Sequence, residues 1–117
     1  MKKILLIIVT LHLSVSLAVA DINLYSGEVV VPSQAATDRT QAVPEALVQV
    51  LQKLSGQREI PLSPALDDAL VNANRYLRSY RYSTVDRTGA DGVVTGELRL
   101  VAQFMQAEVD SIVQQLG

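Results

Sequence analysis

The stretch RTQAVPEALVQVLQKLSG (residues 39–56) has the most regular apolar spacing in the chain. Its apolar side chains, with one alanine just before it, recur at intervals that bring them to one face of an α-helix. The residues on this stripe are Ala36, Val43, Leu47, Val50, Leu51 and Leu54. Gly56 follows the last of them, as a helix-ending glycine does, and Lys53 lies on the solvent-facing side by its phase. The pattern predicts an amphipathic helix that covers one side of the core.

Pro44 lies inside this stretch and leaves two possible starts for the helix. Asp38 followed by Gln41 resembles a capping box, which places Pro44 within the helix, where a proline bends it. Alternatively, Pro44 is the first helical residue, where its missing N–H costs nothing. Because the apolar stripe already includes Ala36 and Val43, the sequence favours the early start with a bend at Pro44.

The segments on either side of this helix predict a strand and a second helix. INLYSGEVVV (residues 22–31) reads as a strand, with a bulge expected at Gly27 because its apolar residues change faces there. SPALDDALVNANRYLRSY (residues 63–80) reads as a helix that Ser63 caps and Pro64 begins.

The rest of the chain predicts a hairpin and a last helix. RYSTVDRTGADGVVTGELRLVAQF (residues 81–104) has two strand-like runs around a glycine-rich turn. QAEVDSIVQQLG (residues 106–117) has the spacing of a short amphipathic helix. The order β-α-α-β-β-α predicts an α+β fold, in which helices pack on one face of a small antiparallel three-stranded sheet.

The chain begins with a segment typical of a secretory signal peptide. A positively charged start, MKK, precedes an apolar run, and the sequence AVA that ends at Ala20 fits a signal-peptidase site. We expect cleavage after Ala20, a periplasmic location and no stable membrane span after cleavage. Residues 1–20 are then the signal peptide, and residues 21–117 form a single α+β domain.

The residue inventory restricts the chemistry of the mature chain. The sequence has no cysteine and no tryptophan, and its one histidine, His12, lies in the signal segment. A mature chain without histidine and cysteine has no Ser-His-Asp or Cys-His nucleophile and no structural zinc site. We therefore predict no enzyme activity, no catalytic residue, no metal site and no cofactor. The negative net charge also argues against nucleic acid as a partner.

One run, RYLRSYRYS (residues 75–83), concentrates arginine and tyrosine. Guanidinium groups match the geometry of oxyanions, so this run suits a phosphate, an anionic glycan or a lipid headgroup. The alternative is that the tyrosines pack at the junction of helix and strand while the arginines cover the surface. The candidate binding residues are Arg75, Arg78, Arg81, Tyr76, Tyr80 and Tyr82.

Four segments carry a resemblance to a known family. LYSGEVVV, AVPEALVQVLQKLSG, NANRYLRSYRY and ELRLVAQF, followed by a short helix, resemble the exported proteobacterial family called domain of unknown function 2066. The resemblance spans nearly all of the mature chain and is best at residues 42–56 and 72–76. It implies no activity and no functional residues. Members of that family are longer, so the resemblance implies that this chain is the N-terminal module of a longer protein.

These observations predict a non-enzymatic protein-interaction module of the cell envelope. Its expected partner is another envelope protein or the missing C-terminal part of its own chain. Tyr25 and residues 29–31 are the expected contacts, because a strand near the terminus can present a sheet edge. The alternative function is binding of an anion, glycan or lipid headgroup through the arginine and tyrosine run.

Overall fold

The structure is a computed structural model and describes residues 23–116. The elements are β1 (Ser26–Val30), α1 (Ala36–Ser55), α2 (Pro64–Val71), a 3-10 helix (Ala73–Tyr76), β2 (Leu77–Thr88), β3 (Val94–Phe104) and α3 (Gln106–Leu116). The strands form one antiparallel sheet in the order β1-β3-β2. The α+β class and the order β-α-α-β-β-α are therefore confirmed.

The helices pack on one face of the sheet, which we call the inner face. Helix α1 supplies the largest share of the core, and β3 crosses beneath it as the central strand. The fully buried side chains of the largest volume are Phe104, Leu47, Leu51, Leu100, Val43, Val50 and Val109. None of the helices within residues 23–116 is long and apolar enough to cross a membrane. The predicted signal peptide and its cleavage after Ala20 lie outside the described residues.

Helix α1 starts early, as the apolar stripe predicts, and runs through Pro44. The expected capping box is wrong, because Asp38 lies in the first turn of the helix instead of preceding it. Its carboxylate accepts a hydrogen bond from Ser33 Oγ at 2.5 Å. Ala36 begins the helix and is exposed, so the buried part of the stripe starts only at Ala42. Gly56 ends the helix at a φ of 70°, which confirms the predicted stop.

A side chain from another element replaces the backbone bond that Pro44 removes. In a regular helix the N–H of residue 44 would donate to the carbonyl of Thr40, four residues earlier. Here Asn74 Nδ2 donates to that carbonyl at 3.2 Å. Asn74 belongs to the 3-10 helix that joins α2 to β2. The bond therefore satisfies the helix and fixes this connection against α1.

No bulge interrupts β1, so the prediction at Gly27 is wrong. The pairing of β1 with β3 is regular from Ser26 to Val30. The apolar residues change faces because the chain before Ser26 is a turn, in which Ser26 N–H donates to the Asn23 carbonyl at 3.3 Å. Gly27 instead allows close packing, since a Cβ at this position would lie 2.9 Å from the carbonyl carbon of Ala46 in α1.

The second predicted helix begins as expected but ends before the predicted residue. Ser63 Oγ accepts the N–H of Leu66 at 3.1 Å, and Pro64 is the first helical residue. The helix stops at Val71, however, and residues 77–80 belong to β2. A bulge lies between Leu77 and Ser79 in β2. It brings Leu77 and Tyr80 to the same face although they are three residues apart, and this spacing imitates a helix.

The hairpin and the last helix are confirmed. Gly89 N–H donates to the Val93 carbonyl at 2.9 Å, and Asp91 Oδ1 accepts the N–H of Val93 at 3.1 Å. These bonds close the predicted turn between β2 and β3. In α3, Val109 and Ile112 are buried against the core. The outer face of β3 is polar with the exception of Val101, which is buried.

The bond from Asn74 to α1 makes a prediction about stability. The Asn74→Ala change should lower the free energy of unfolding by about 0.5–1.5 kcal/mol, because the Thr40 carbonyl loses its donor. In a Pro44→Ala background the same change should cost much less, since residue 44 then supplies the missing N–H. Urea denaturation of the four chains measures this coupling. An equal loss in both backgrounds would show that Asn74 does not replace the proline bond.

Candidate interaction site at the sheet edges

The two edge strands present different backbone groups away from the sheet. Along any strand, alternate residues direct their N–H and C=O groups towards one neighbour and then the other. Val31 N–H donates to the Leu98 carbonyl at 3.0 Å, and Phe104 N–H donates to the Tyr25 carbonyl at 2.9 Å. Even-numbered residues of β3 therefore face β1, and odd-numbered residues face β2.

The pairing register then identifies the outward-facing residues of each edge strand. In β1 they are Ser26, Glu28 and Val30. In β2 they are Tyr80, Tyr82, Thr84, Asp86 and Thr88. An outward-facing N–H or C=O that lacks a partner can pair with another chain, so these residues decide which edge is open.

Two side chains of α1 close the edge of β1. Gln49 Oε1 accepts the N–H of Glu28 at 2.9 Å, and Gln49 Nε2 donates to the Glu28 carbonyl at 2.6 Å. Lys53 Nζ donates to the carbonyls of Ser26 and Asn23, the latter at 3.3 Å. The amide of Gln49 thus occupies the position that a peptide group of a further strand would take. Counting partners among residues 23–116, Val30 is the one outward-facing residue of β1 that keeps free backbone groups.

The edge of β2 has no such cover. Within residues 23–116, the outward N–H and C=O groups of the even-numbered residues 80–88 have no hydrogen-bond partner. Most side chains along this segment are exposed as well. Backbone pairing with another chain is therefore possible along this edge, which we call the open edge (residues 80–88).

The predicted contacts of the first strand are mostly occupied. Val29 and Val31 are buried in the core. Tyr25 is half-buried, and its hydroxyl donates to Asp110 Oδ1 at 2.8 Å. This hydrogen bond, with partial burial, raises the pKa of Tyr25 above its ordinary value. Tyr25 therefore ties the start of β1 to α3 and does not form part of a free edge.

The six predicted binding residues divide over several surfaces. Arg75 and Tyr76 lie in the 3-10 helix, where Tyr76 packs against the core. Arg78 lies in the bulge and is exposed. Arg81 pairs with Val101 on the outer face, whereas Tyr80 and Tyr82 pair with inner-face residues of β3. The structure does not gather these side chains into one cluster.

The two tyrosines of β2 belong to the inner side of the open edge. Their rings meet edge to face, with centroids 6.0 Å apart. The guanidinium carbon of Arg39, at the start of α1, lies 4.5 Å from the centroid of Tyr80. The hydroxyl of Tyr82 donates to the Gln34 carbonyl at 3.5 Å. A basic and aromatic surface therefore borders the open edge, and Arg39 is a member of it that the sequence pattern did not identify.

Ion pairs cover the outer face of the sheet. Arg99 contacts Glu97 at 2.9 Å and Glu28 at 3.4 Å, and Arg87 contacts Glu97 at 3.2 Å. The hydrogen bond from Arg99 to Glu97 also raises the pKa of the guanidinium. These side chains join all three strands across the face. The charges of these four side chains balance one another, and Arg81 adds one further positive charge to the same face.

The grooves of the described residues are shallow or small. One of about 600 Å³ is lined mainly by polar side chains of α1, including Gln49 and Lys53, which already bond to β1. A second groove of about 300 Å³ lies between the end of α1 and α3, with Ile60 and Val113 in its wall. Neither groove gathers groups that act together in a reaction. The open edge is the more distinctive feature of the molecule.

Fold and edge geometry define a small α+β domain with one closed and one open sheet edge. The chain belongs to the family described as Domain of unknown function (DUF8605), which matches residues 18–117. The expected resemblance to domain of unknown function 2066 is therefore wrong, because the matching family is a different one. No curated protein and no solved structure matches the chain. The prediction of an N-terminal module rested on that resemblance and stays untested.

The closure of β1 makes a prediction about Gln49. The Gln49→Ala change should lower the free energy of unfolding by about 1 kcal/mol, because both backbone groups of Glu28 lose their partner. It should also increase self-association at high concentration, since it opens a second edge. Gln41→Ala, an exposed glutamine of the same helix, is the matched control. Urea denaturation and light scattering check both effects, and equal behaviour of the two variants would contradict this role.

Proposed function

We propose that this chain is an exported, non-enzymatic protein-interaction module of the cell envelope. It binds an extended protein segment that adds as a further strand along the open edge. The observation that carries this proposal is the difference between the two edges. Side chains of α1 bond to the outward backbone groups of Glu28 and to the Ser26 carbonyl in β1, whereas those of the even-numbered residues 80–88 have no partner within residues 23–116.

The open edge suits strand addition by its length and by its side chains. Residues 80–88 extend over about 30 Å at the usual rise of a strand, enough for a recognition segment of ordinary length. Backbone hydrogen bonds supply affinity in this mode, and side chains beside the edge supply selectivity. Tyr80, Tyr82 and Arg39 provide a basic and aromatic border on the inner face.

The export part of the proposal rests on the N-terminal sequence. The positive start, the apolar run and the small residues that end at Ala20 have the order of a signal peptide. The non-enzymatic part rests on the residue inventory, since the only histidine precedes Ala20 and cysteine is absent. Binding of an anionic glycan or lipid headgroup by the arginine and tyrosine run has less support, because its side chains lie on different faces.

Export makes a prediction about the mature protein. When the chain is expressed in a Gram-negative bacterium, cell fractionation should recover it in the periplasm. Intact-mass measurement should show a chain that begins at Asp21. A chain with a substitution of Ala18 and Ala20 by large residues should keep the N-terminal segment, since the peptidase requires small side chains there. An unprocessed parent chain in the cytoplasm would refute export.

Strand addition makes a prediction about where contacts form in cells. A photo-crosslinking amino acid at Thr84, on the open edge, should form a defined protein adduct in intact cells. The same amino acid at Val30, which also faces outward but on the other edge, is the matched control. We expect an adduct only at residue 84, detected by immunoblot and mass spectrometry. No adduct at residue 84, or equal adducts at both positions, would refute binding at the open edge.

A further inference from the structure

We infer that the segment that binds the open edge is β2 of a second copy of this chain. This inference rests on the proposed function, because it requires strand addition at that edge. Two copies then pair their β2 strands antiparallel about a two-fold axis and form one continuous sheet. Three properties of the described residues support this occupant: the backbone register, the charges beside the edge and the closure of β1.

The backbone register of β2 allows it to pair with itself. All outward-facing residues of the open edge have even numbers, so a two-fold pairing must match even with even residues. When Tyr82 lies opposite Thr84 of the second copy, Tyr80 lies opposite its Asp86. The axis then passes beside Ser83. Ser83 and Thr84 are small, so the two backbones can approach to hydrogen-bonding distance there.

Charges on the inner face favour this register. The Arg39 guanidinium lies over the ring of Tyr80, 4.5 Å from its centroid. Asp86 of the second copy, opposite Tyr80, brings a carboxylate next to this guanidinium. Neither Arg39 nor Asp86 takes part in a salt bridge among residues 23–116. Two-fold symmetry forms this ion pair twice, with Arg39 of each copy next to Asp86 of the other.

A neighbouring register is less favourable. If Thr84 lay opposite itself, Arg81 would lie directly opposite Arg87 of the second copy on the outer face. Like charges in directly opposed positions destabilise a strand pair. In the register with Tyr82 opposite Thr84, Arg81 lies opposite Val85 and Arg87 opposite Ser79. The charges along β2 therefore favour the alignment with Tyr82 opposite Thr84 over the one with Thr84 opposite itself.

Closure of β1 limits the assembly to two copies. A chain with two open edges extends into a filament, whereas a chain with one open edge stops when that edge is paired. Gln49 and Lys53 occupy the backbone groups of Glu28 and Ser26 on the other edge. After two β2 strands pair, the outer strands of the joined sheet are the two closed β1 strands. The expected product is a dimer.

The first experiment measures the mass of the protein in solution. Sedimentation velocity on the chain, purified in the form that cells accumulate, should show a dimer that dissociates on dilution. Thr84→Pro removes an outward N–H without removing a bond to β3, and should give a monomer. Val30→Pro makes the same change on the other edge and should leave the dimer intact. A monomeric parent chain at high concentration, or a dimer unaffected by Thr84→Pro, would overturn the inference.

The second experiment tests the register with exchanged charges. Arg39→Glu and Asp86→Lys should each weaken self-association by about tenfold or more, because each replaces two ion pairs by like-charge pairs. A mixture of the two variants should form a heterodimer, since both contacts are then opposite in charge. Circular dichroism checks that each variant is folded. Failure of the mixture to associate more tightly than either variant alone would refute the Arg39–Asp86 contact.

The outcomes separate this inference from the proposed function. The crosslinked adduct at residue 84 should have twice the mass of the mature chain. An adduct with a different protein, together with a monomeric purified chain, would refute the second copy as occupant while supporting strand addition. A dimer that Val30→Pro disrupts and Thr84→Pro does not would refute both.

Discussion

Helix α1 lies directly against strand β1 because the residues at the contact have almost no side chain. A Cβ on Gly27 would come within 2.9 Å of the backbone of Ala46, a separation that real Cβ atoms do not adopt. Forcing a larger residue into such a contact costs about 1–3 kcal/mol in typical cores. The glycine therefore sets the distance between helix and sheet, and the rest of the core packs at that distance.

The short distance between α1 and β1 also determines which sheet edge is closed. Only a helix this close to β1 can place the amide of Gln49 on the backbone of Glu28 and the ammonium of Lys53 on the carbonyl of Ser26. Helix α1 lies above the sheet at the β1 side and leaves the far strand, β2, without such cover. Packing and edge protection thus have one origin. The open edge results from the asymmetric position of the helix, and it is where we place the interaction.

Much of the fold follows from local patterns, and the predictions that failed did so for physical reasons. The stripe of α1 predicted an early start and a helix that continues through Pro44, and the structure confirms both. Asn74 replaces the backbone hydrogen bond that the proline removes. The helical reading of residues 77–80 failed because a bulge in β2 gives Leu77 and Tyr80 a shared face at helical spacing. The bulge expected at Gly27 failed because a turn, not a strand, precedes Ser26.

The candidate site was less predictable than the fold. The arginine and tyrosine run lies partly on the open edge, so composition drew attention to the strand where we place the interaction. The run is divided between two faces of the sheet because its residues after the bulge alternate as in a strand. A helical interpretation of the same residues does not predict this alternation. The family, Domain of unknown function (DUF8605), was also not the one that the short segments resembled.

The amino-acid sequence by itself determined the element order, the stripe of the main helix and the hairpin, because these follow from spacing and turn chemistry within short segments. It also determined which chemical groups the chain possesses. Only the tertiary structure decided which sheet edge is closed. By helical phase, Lys53 is a solvent-facing residue, and it becomes an edge-closing residue only when Gly27 lets α1 rest on β1. Hydrogen bonds between residues distant in the chain depend on the packing that brings those residues together. The spacing of residues within a short segment does not reveal that packing.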